Sequence, residues 1–215
     1  ALDKLFKRML GIFLITDTKK VELTGFALVN VKPSFLEDLA AIKVINSPHC
    51  AIYKNQIINT CYGIYLSHSD SCIIEHNNLK AYGKRESSSG NGIHLWYSNC
   101  ATIQYNQVSG HRDGIYFEFV ENSLIQKNYC HHQIRYGLHF MFSHGCSYIE
   151  NYFQNNGAGV AVMYSKKINM IKNICSTLGF GAEPLSELPE SPVDDEFVQS
   201  LSLSSLSSLS FDELL

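Results

Sequence analysis

GIYFEFVENSLIQKNYCHHQIRY (114–136) runs directly into GLHFMFSHGCSYIENYFQNNGA (137–158), and the two stretches share one pattern. Each opens on glycine, places apolar residues one and three positions later (Ile115/Phe117 and Leu138/Phe140), and carries an asparagine further on (Asn128 and Asn151). The pattern extends in both directions. Its starts are Gly11, Ala41, Gly63, Gly92, Gly114, Gly137 and Gly159, with steps of 30, 22, 29, 22, 23 and 22 residues. The asparagines Asn55, Asn77, Asn106, Asn128, Asn151 and Asn173 step by 22, 29, 22, 23 and 22, the same series. Two markers moving in lockstep identify an internal repeat of about 22 residues.

Alternation with period two after each glycine predicts a strand with one buried face. A second short strand precedes each asparagine, with Ile52, Ile74, Ile103, Ile125, Tyr148 and Met170 in one column. A third follows it, with Ile57, Leu79, Val108, Cys130, Phe153 and Cys175 in another. Three strands and three bends per turn make an all-β fold, a right-handed parallel β-helix (β-solenoid) of about seven coils over 1–178. The asparagines are expected to bond to their equivalents in neighbouring coils, and the glycines to occupy bends of positive φ. Neither amphipathic helical segments nor the LxxLxLxxN pattern of leucine-rich repeats is present in 11–178. The two long steps are insertions at corresponding places, Lys32–Ala40 and Tyr82–Gly90. Insertions stacked on one side of a solenoid commonly shape a binding face.

The chain has 215 residues, and no stretch reaches the roughly 20 apolar residues of a membrane span. From Ile174 onward there are eight acids and no Lys or Arg, so 179–215 reads as an acidic Ser/Leu-rich tail, disordered or capping. The rest holds seventeen basic against twelve acidic residues, a net of +5, too scattered for a nucleic-acid groove. Seven cysteines without a CxxC pair leave the compartment open. Cys50 and Cys72 share a column one coil apart, which suits small buried residues in a stack or, in an oxidising compartment, a disulfide.

The same alternation places an outward strip on the first strand of each coil. Its columns run Phe13, Lys43, Tyr65, His94, Tyr116, His139, Ala161 and Ile15, Ile45, Ser67, Trp96, Glu118, Met141, Met163. His111, Arg112, Asp113 and Arg135 border it. Aromatic, methionine and arginine side chains suit a partner-binding face, for which His94, Trp96, His111, Arg112, Asp113, Tyr116, Glu118, Arg135 and Tyr164 are the candidates. Imidazole and thioether donors also suit Cu(I), and His139, Met141 and Met163 fall close together across adjacent coils. Glycoside hydrolysis requires two suitably spaced carboxylates, and the strip offers only Glu118 and Asp113, so no catalytic residue is assigned. His49, His68, His76, His144 and the pair His131-His132 fall at bends or beside the third strand and carry no expected role.

The strings SGNGIHLWYS (89–98), GHRDGIYFEFV (110–120), RYGLHFMFSH (135–144) and NNGAGVAVMYSK (155–166) resemble the NosD family of nitrous-oxide-reductase maturation proteins. The likeness covers roughly 40–173, and the strip residues lie within its strings. What it implies is a periplasmic, non-enzymatic β-helix associated with copper. Its partners would be nitrous oxide reductase and an ABC transporter that supplies the copper–sulfur centre. A polysaccharide-binding or polysaccharide-cleaving β-helix is the alternative. The resemblance transfers no agreed ligand set, so copper remains an expected cofactor and His139, Met141 and Met163 its candidate ligands. The family's further coils beyond Asn173 have no counterpart in the acidic tail.

Overall fold

The computed structural model describes residues 11–34 and 38–177. They form a right-handed parallel β-helix of three seven-stranded sheets. Every neighbour in a sheet belongs to the next coil, so each ladder is parallel and built wholly from long-range pairs. The first coil contributes Gly11–Thr16, Glu22–Thr24 and Ala27–Val31 to the three sheets in turn, and the last described coil contributes Ala158–Met163, Asn169–Ile171 and Ile174–Ser176. The acidic tail lies outside the described residues.

The inward columns fill the solenoid. Ile64/Leu66, Ile93/Leu95, Ile115/Phe117 and Leu138/Phe140 are all fully buried, and each such side chain contributes roughly 1.5–3 kcal/mol. Phe117 and Phe140 meet edge to face at 5.5 Å. The asparagine column lies at the bend between second and third strands and forms a continuous ladder. Asn106 N and Nδ2 both donate to Asn128 Oδ1 at 3.0 Å, and the geometry repeats from Asn55 to Asn173. A serine ladder runs beside it at the first bend, where Ser47 N donates to Ser69 Oγ and Ser69 N to Ser98 Oγ, each at 3.0 Å.

Two expectations need correction. The marker glycines do not supply positive φ; among the described glycines Gly25, Gly110 and Gly145 do. A Cβ on Gly63 would lie 2.4 Å from Leu79 Cδ2 and 2.5 Å from the Gly92 carbonyl oxygen, and the equivalents behave alike. Glycine is there because the first strand passes against the third strand and the next coil's backbone. The left-handed bends are held by Asn46, His68, Tyr97, Phe119, Phe142 and others. That conformation costs ~1–2 kcal/mol for a non-glycine residue, so packing must hold it.

The first coil is shifted by one residue. Phe13 pairs with Ile42 and Ile15 with Val44, so these two face inward, while Ile12 and Leu14 are exposed. The equivalent of Gly63 in that coil is therefore Ile12 and not Gly11, and the true step to the second coil is 29, as the Asp17 N to Ile45 O and Thr18 N to Ser47 Oγ bonds show. Cys50 and Cys72 are the small buried residues of the stack reading and are not bridged. Both are free and buried, with each thiol directed at the Ser47 carbonyl, at 3.3 and 3.6 Å.

Candidate functional site

The outer face of the first sheet carries an unbroken ladder of rings. Tyr65 meets His94 at 4.6 Å, His94 meets Tyr116 at 4.7 Å, and Tyr116 meets His139 at 4.8 Å between centroids. The strand register sets this directly, since Tyr65, His94, Tyr116 and His139 are consecutive partners. These residues point away from the core cluster yet are buried. Their neighbours in the ladder, with Tyr62 and Tyr136 from the strand starts, enclose them. Trp96, Glu118, Met141 and Met163 form the next column and remain half-buried.

Arginines from each strand start reach back one coil. Arg112 Nε donates to Asn91 Oδ1 at 3.2 Å, and Asn91 Nδ2 lies 3.2 Å from His94 Nδ1. Arg135 grips Asp113 through Nε–Oδ1 at 3.0 Å and Nη2–Oδ2 at 2.5 Å, a bidentate pair. Asp113 is fully buried and also lies 3.3 Å from His139 Nδ1. Burial alone would raise its pKa, but the hydrogen bonds from His139 and Arg135 outweigh it and hold the carboxyl below its ordinary value. Facing an ionised Asp113, His139 Nδ1 is the nitrogen that carries a proton, so in the neutral imidazole the lone pair is on Nε2. Arg135 Nη2 approaches the same Nδ1 at 3.5 Å, at the limit of a hydrogen bond, and the shorter carboxylate contact decides the tautomer. His139 Nε2 is buried and has no hydrogen-bond partner, as is His94 Nε2.

An imidazole fixed through Nδ1 by a carboxylate, with a free Nε2, is the arrangement of metal-binding histidines. Met141 lies two places on along the same strand and is the register partner of Met163 in the next coil. The strip thus brings His139, Met141 and Met163 onto one patch of one face. Among the described residues no group of three or more His, Cys, Asp and Glu side chains is placed to hold a metal ion. One imidazole and two thioethers is a soft donor set suited to Cu(I).

The other sequence candidates divide. Trp96, Arg112, Tyr116 and Glu118 line a groove of about 490 Å³ with Tyr62, Tyr65, His94 and Asp38. Asp38, brought in by the first insertion, was not visible in the repeat pattern. Burial and the Glu118 charge raise the Tyr116 pKa to about 12. His111 does not border the strip. It is fully buried on the inner side of the third bend, its Nδ1 3.4 Å from where a Cβ on Gly92 would stand. Alternation ends where the strand ends, and Asp113 is the first strand residue.

Tyr164 belongs to a separate feature, the left-handed column at the end of each first strand. His68, Tyr97, Phe119, Phe142 and Tyr164 stack across five coils, with centroids 4.6–5.4 Å apart and interplanar angles of 7–15°. Tyr164 is 73% exposed at its end. The signal was present as aromatic residues at steps of 29, 22, 23 and 22, one place past the Trp96 column. His68 therefore has a packing role that its bend position alone did not suggest.

His94 and His111 carry a pH dependence. Burial, then the Arg112 charge, depresses the His94 pKa to about 3. Burial depresses that of His111 to about 4. Unfolded imidazoles titrate near 6.5. The unfolded chain then binds more protons between about pH 6.5 and 4, so this stability is complete above that window and is lost as the pH falls through it. Asp113 adds a loss of the same sign below about pH 4. Thermal melts from pH 8 to 4 are expected to show the His94→Gln/His111→Gln variant losing about 5 °C less than the parent across the window. Equal slopes would mean that neither imidazole is held neutral.

Residues 80–178 match the family described as periplasmic copper-binding protein (NosD). No curated protein matches. Among solved structures, a mutant of the periplasmic alginate epimerase AlgG superposes with a TM-score of 0.62 at 13% identity, over 75% of this chain and 43% of that one. The DFA-IIIase of Arthrobacter chlorophenolicus A6 in complex with DFA-III gives 0.52 at 15% identity, over 83% and 59%. The chain therefore spans less than half of the epimerase's length, and these likenesses show the β-helix fold alone. Among the described residues no helix is long and apolar enough to cross a membrane.

Proposed function

We propose, from the match of residues 80–178 to the NosD family, that this chain is a periplasmic, non-enzymatic accessory protein that binds copper on the outer face of its first sheet. The observation that carries the reading is His139. Its Nδ1 is held by the Asp113–Arg135 pair, its Nε2 is buried without a partner, and Met141 with its register partner Met163 stands in the next column of the same face. These are the residues that would hold Cu(I), as cargo to be passed on. The proposed destination is the copper centre of nitrous oxide reductase, assembled with an ABC transporter. The groove around Trp96, Arg112 and Glu118 is the proposed docking surface.

Titration with Cu(I) against a competing chelator tests the ligands. Met141→Leu/Met163→Leu is expected to bind at least about tenfold more weakly, about 1.4 kcal/mol. Leucine preserves apolar volume and so keeps the fold. Affinity equal to the parent would eliminate both thioethers. Docking is tested by pull-down with the reductase and the transporter, where Trp96→Ala/Glu118→Ala should lose capture.

A second reading, polysaccharide binding, is favoured by half-buried Trp96 in a groove that also presents Glu118 and Arg112. Asp113 cannot serve as the second carboxylate of a hydrolase, because Arg135 and His139 occupy it. A glycan array with a reducing-sugar assay separates the readings. Sugar release that disappears in Glu118→Gln would favour the second.

A further inference from the structure

The third bend is lined on its inner side by a polar column three places beyond Ile57, Val108, Cys130 and Phe153: Thr60, His111, Gln133 and Asn156. Its upper members follow one rule. Asn156 Oδ1 accepts from Gln133 N at 2.9 Å, and its Nδ2 donates to the Cys130 carbonyl at 2.9 Å. Gln133 does the same one coil lower, accepting from His111 N at 2.8 Å and donating to the Val108 carbonyl at 2.6 Å. By that rule the His111 ring should serve Tyr82 N and the Leu79 carbonyl. It cannot, because the chain leaves the column there. Tyr82 opens the second insertion and is 59% exposed.

The missing rung leaves a gap between the second and fourth coils. On its upper side, neither ring nitrogen of fully buried His111 makes a well-formed hydrogen bond, and the backbone of Ser109 is the nearest polar group acting on the ring. On its lower side, buried Thr60 Oγ1 has none, and Ser89 Oγ, brought in by the insertion, has none. A half-open cavity of about 310 Å³ is lined by these residues, with Lys32 and Pro33 of the first insertion on its border. Cys61 lines it too, as a protonated thiol whose pKa burial raises. The charged residues of its lining are Lys32 and Lys84, with no aspartate or glutamate.

Buried polar atoms normally find partners. Here Thr60, Ser89 and the uncharged His111, whose buried polar atoms lack partners, all line one space, and Lys32 and Lys84 share its lining. Hydroxyls and an imidazole N–H donate to an acceptor-rich guest, and the two lysines favour negative charge. We propose that the cavity between the two insertions is a binding site for a small oxyanion group, carboxylate or phosphate, held by Thr60, Ser89 and His111 with Lys32 and Lys84 in its lining. It lies around a corner of the solenoid from the His139 patch and does not depend on copper.

The test is calorimetric titration of the full chain with inorganic phosphate, sulfate, acetate, glucose 6-phosphate and glucose. At least one oxyanion is expected to bind saturably at millimolar concentration, and glucose is not. Tighter binding of glucose 6-phosphate than of phosphate identifies an organic acid or ester as the guest class; equal binding identifies the free ion. Lys32→Ala/Lys84→Ala removes two exposed side chains and leaves the core untouched, so it should keep the parent melting temperature and lose about tenfold in affinity. His111→Gln installs the residue that the next coil carries in this column, and should fold and bind more weakly. Absence of saturable oxyanion binding overturns the proposal, as does glucose binding as tightly as its phosphate, or both variants retaining the parent affinity.

Discussion

Gly114→Ala is expected to destabilise the solenoid by at least about 3 kcal/mol, lowering the melting temperature by roughly 6–12 °C. The added Cβ would lie 2.5 Å from the Gly137 carbonyl oxygen, and 3.1 and 3.2 Å from Cys130 Cβ and Sγ. A flexible side chain could move aside, but the closest atom is backbone, fixed in the ladder of the next coil. Overpacking against a close-packed core is costly for that reason. Gly25→Ala is the control. Its φ of +76° disfavours alanine, but nothing lies within 4 Å of the added carbon, so it should cost only about 1 kcal/mol. Chemical denaturation of both variants checks the contrast. If Gly25→Ala proved as damaging as Gly114→Ala, close approach would not be what these glycines provide.

Asn128→Leu should cost about 3–5 kcal/mol. Leucine nearly matches asparagine in volume, so the effect isolates the polar groups. Asn128 Oδ1 accepts from Asn106 N and Nδ2, each at 3.0 Å. Its Nδ2 donates to the Ile103 carbonyl at 2.9 Å, the Gln126 carbonyl at 3.1 Å and Asn151 Oδ1 at 2.9 Å. Replacing it strands several buried groups at once, and each unsatisfied group costs about 1–3 kcal/mol. Asn173→Leu, at the partly buried end of the described ladder, should cost much less. Equal losses in equilibrium unfolding would mean that the ladder's interior position carries no premium.

Six coils carried two markers each and were placed in correct register. The first coil lacked the asparagine, and with one marker its reading slipped by a residue, which in a strand exchanges every inward and outward side chain. Phe13 and Ile15 moved into the core and Ile12 and Leu14 out of it for that reason. His111 was grouped with Arg112 and Asp113 because they are adjacent in the chain, although a bend separates them. Asp38 joined the groove from an insertion whose length was legible but whose path was not.

The sequence by itself determined the architecture, the inward columns, the asparagine ladder and the alignment of His94, Tyr116 and His139 on one strip. Each follows from local alternation and a fixed repeat length, which are properties of the chain alone. Only the tertiary structure decided that the strip's imidazoles are enclosed, that Asp113 belongs to Arg135 and His139, that His139 Nε2 is left without a partner, and that a missing rung opens a cavity over His111. Those features arise between side chains 22 or more residues apart. Their meeting is set by how one coil settles on the next and by where the insertions fold back, and no pattern within a single repeat encodes it.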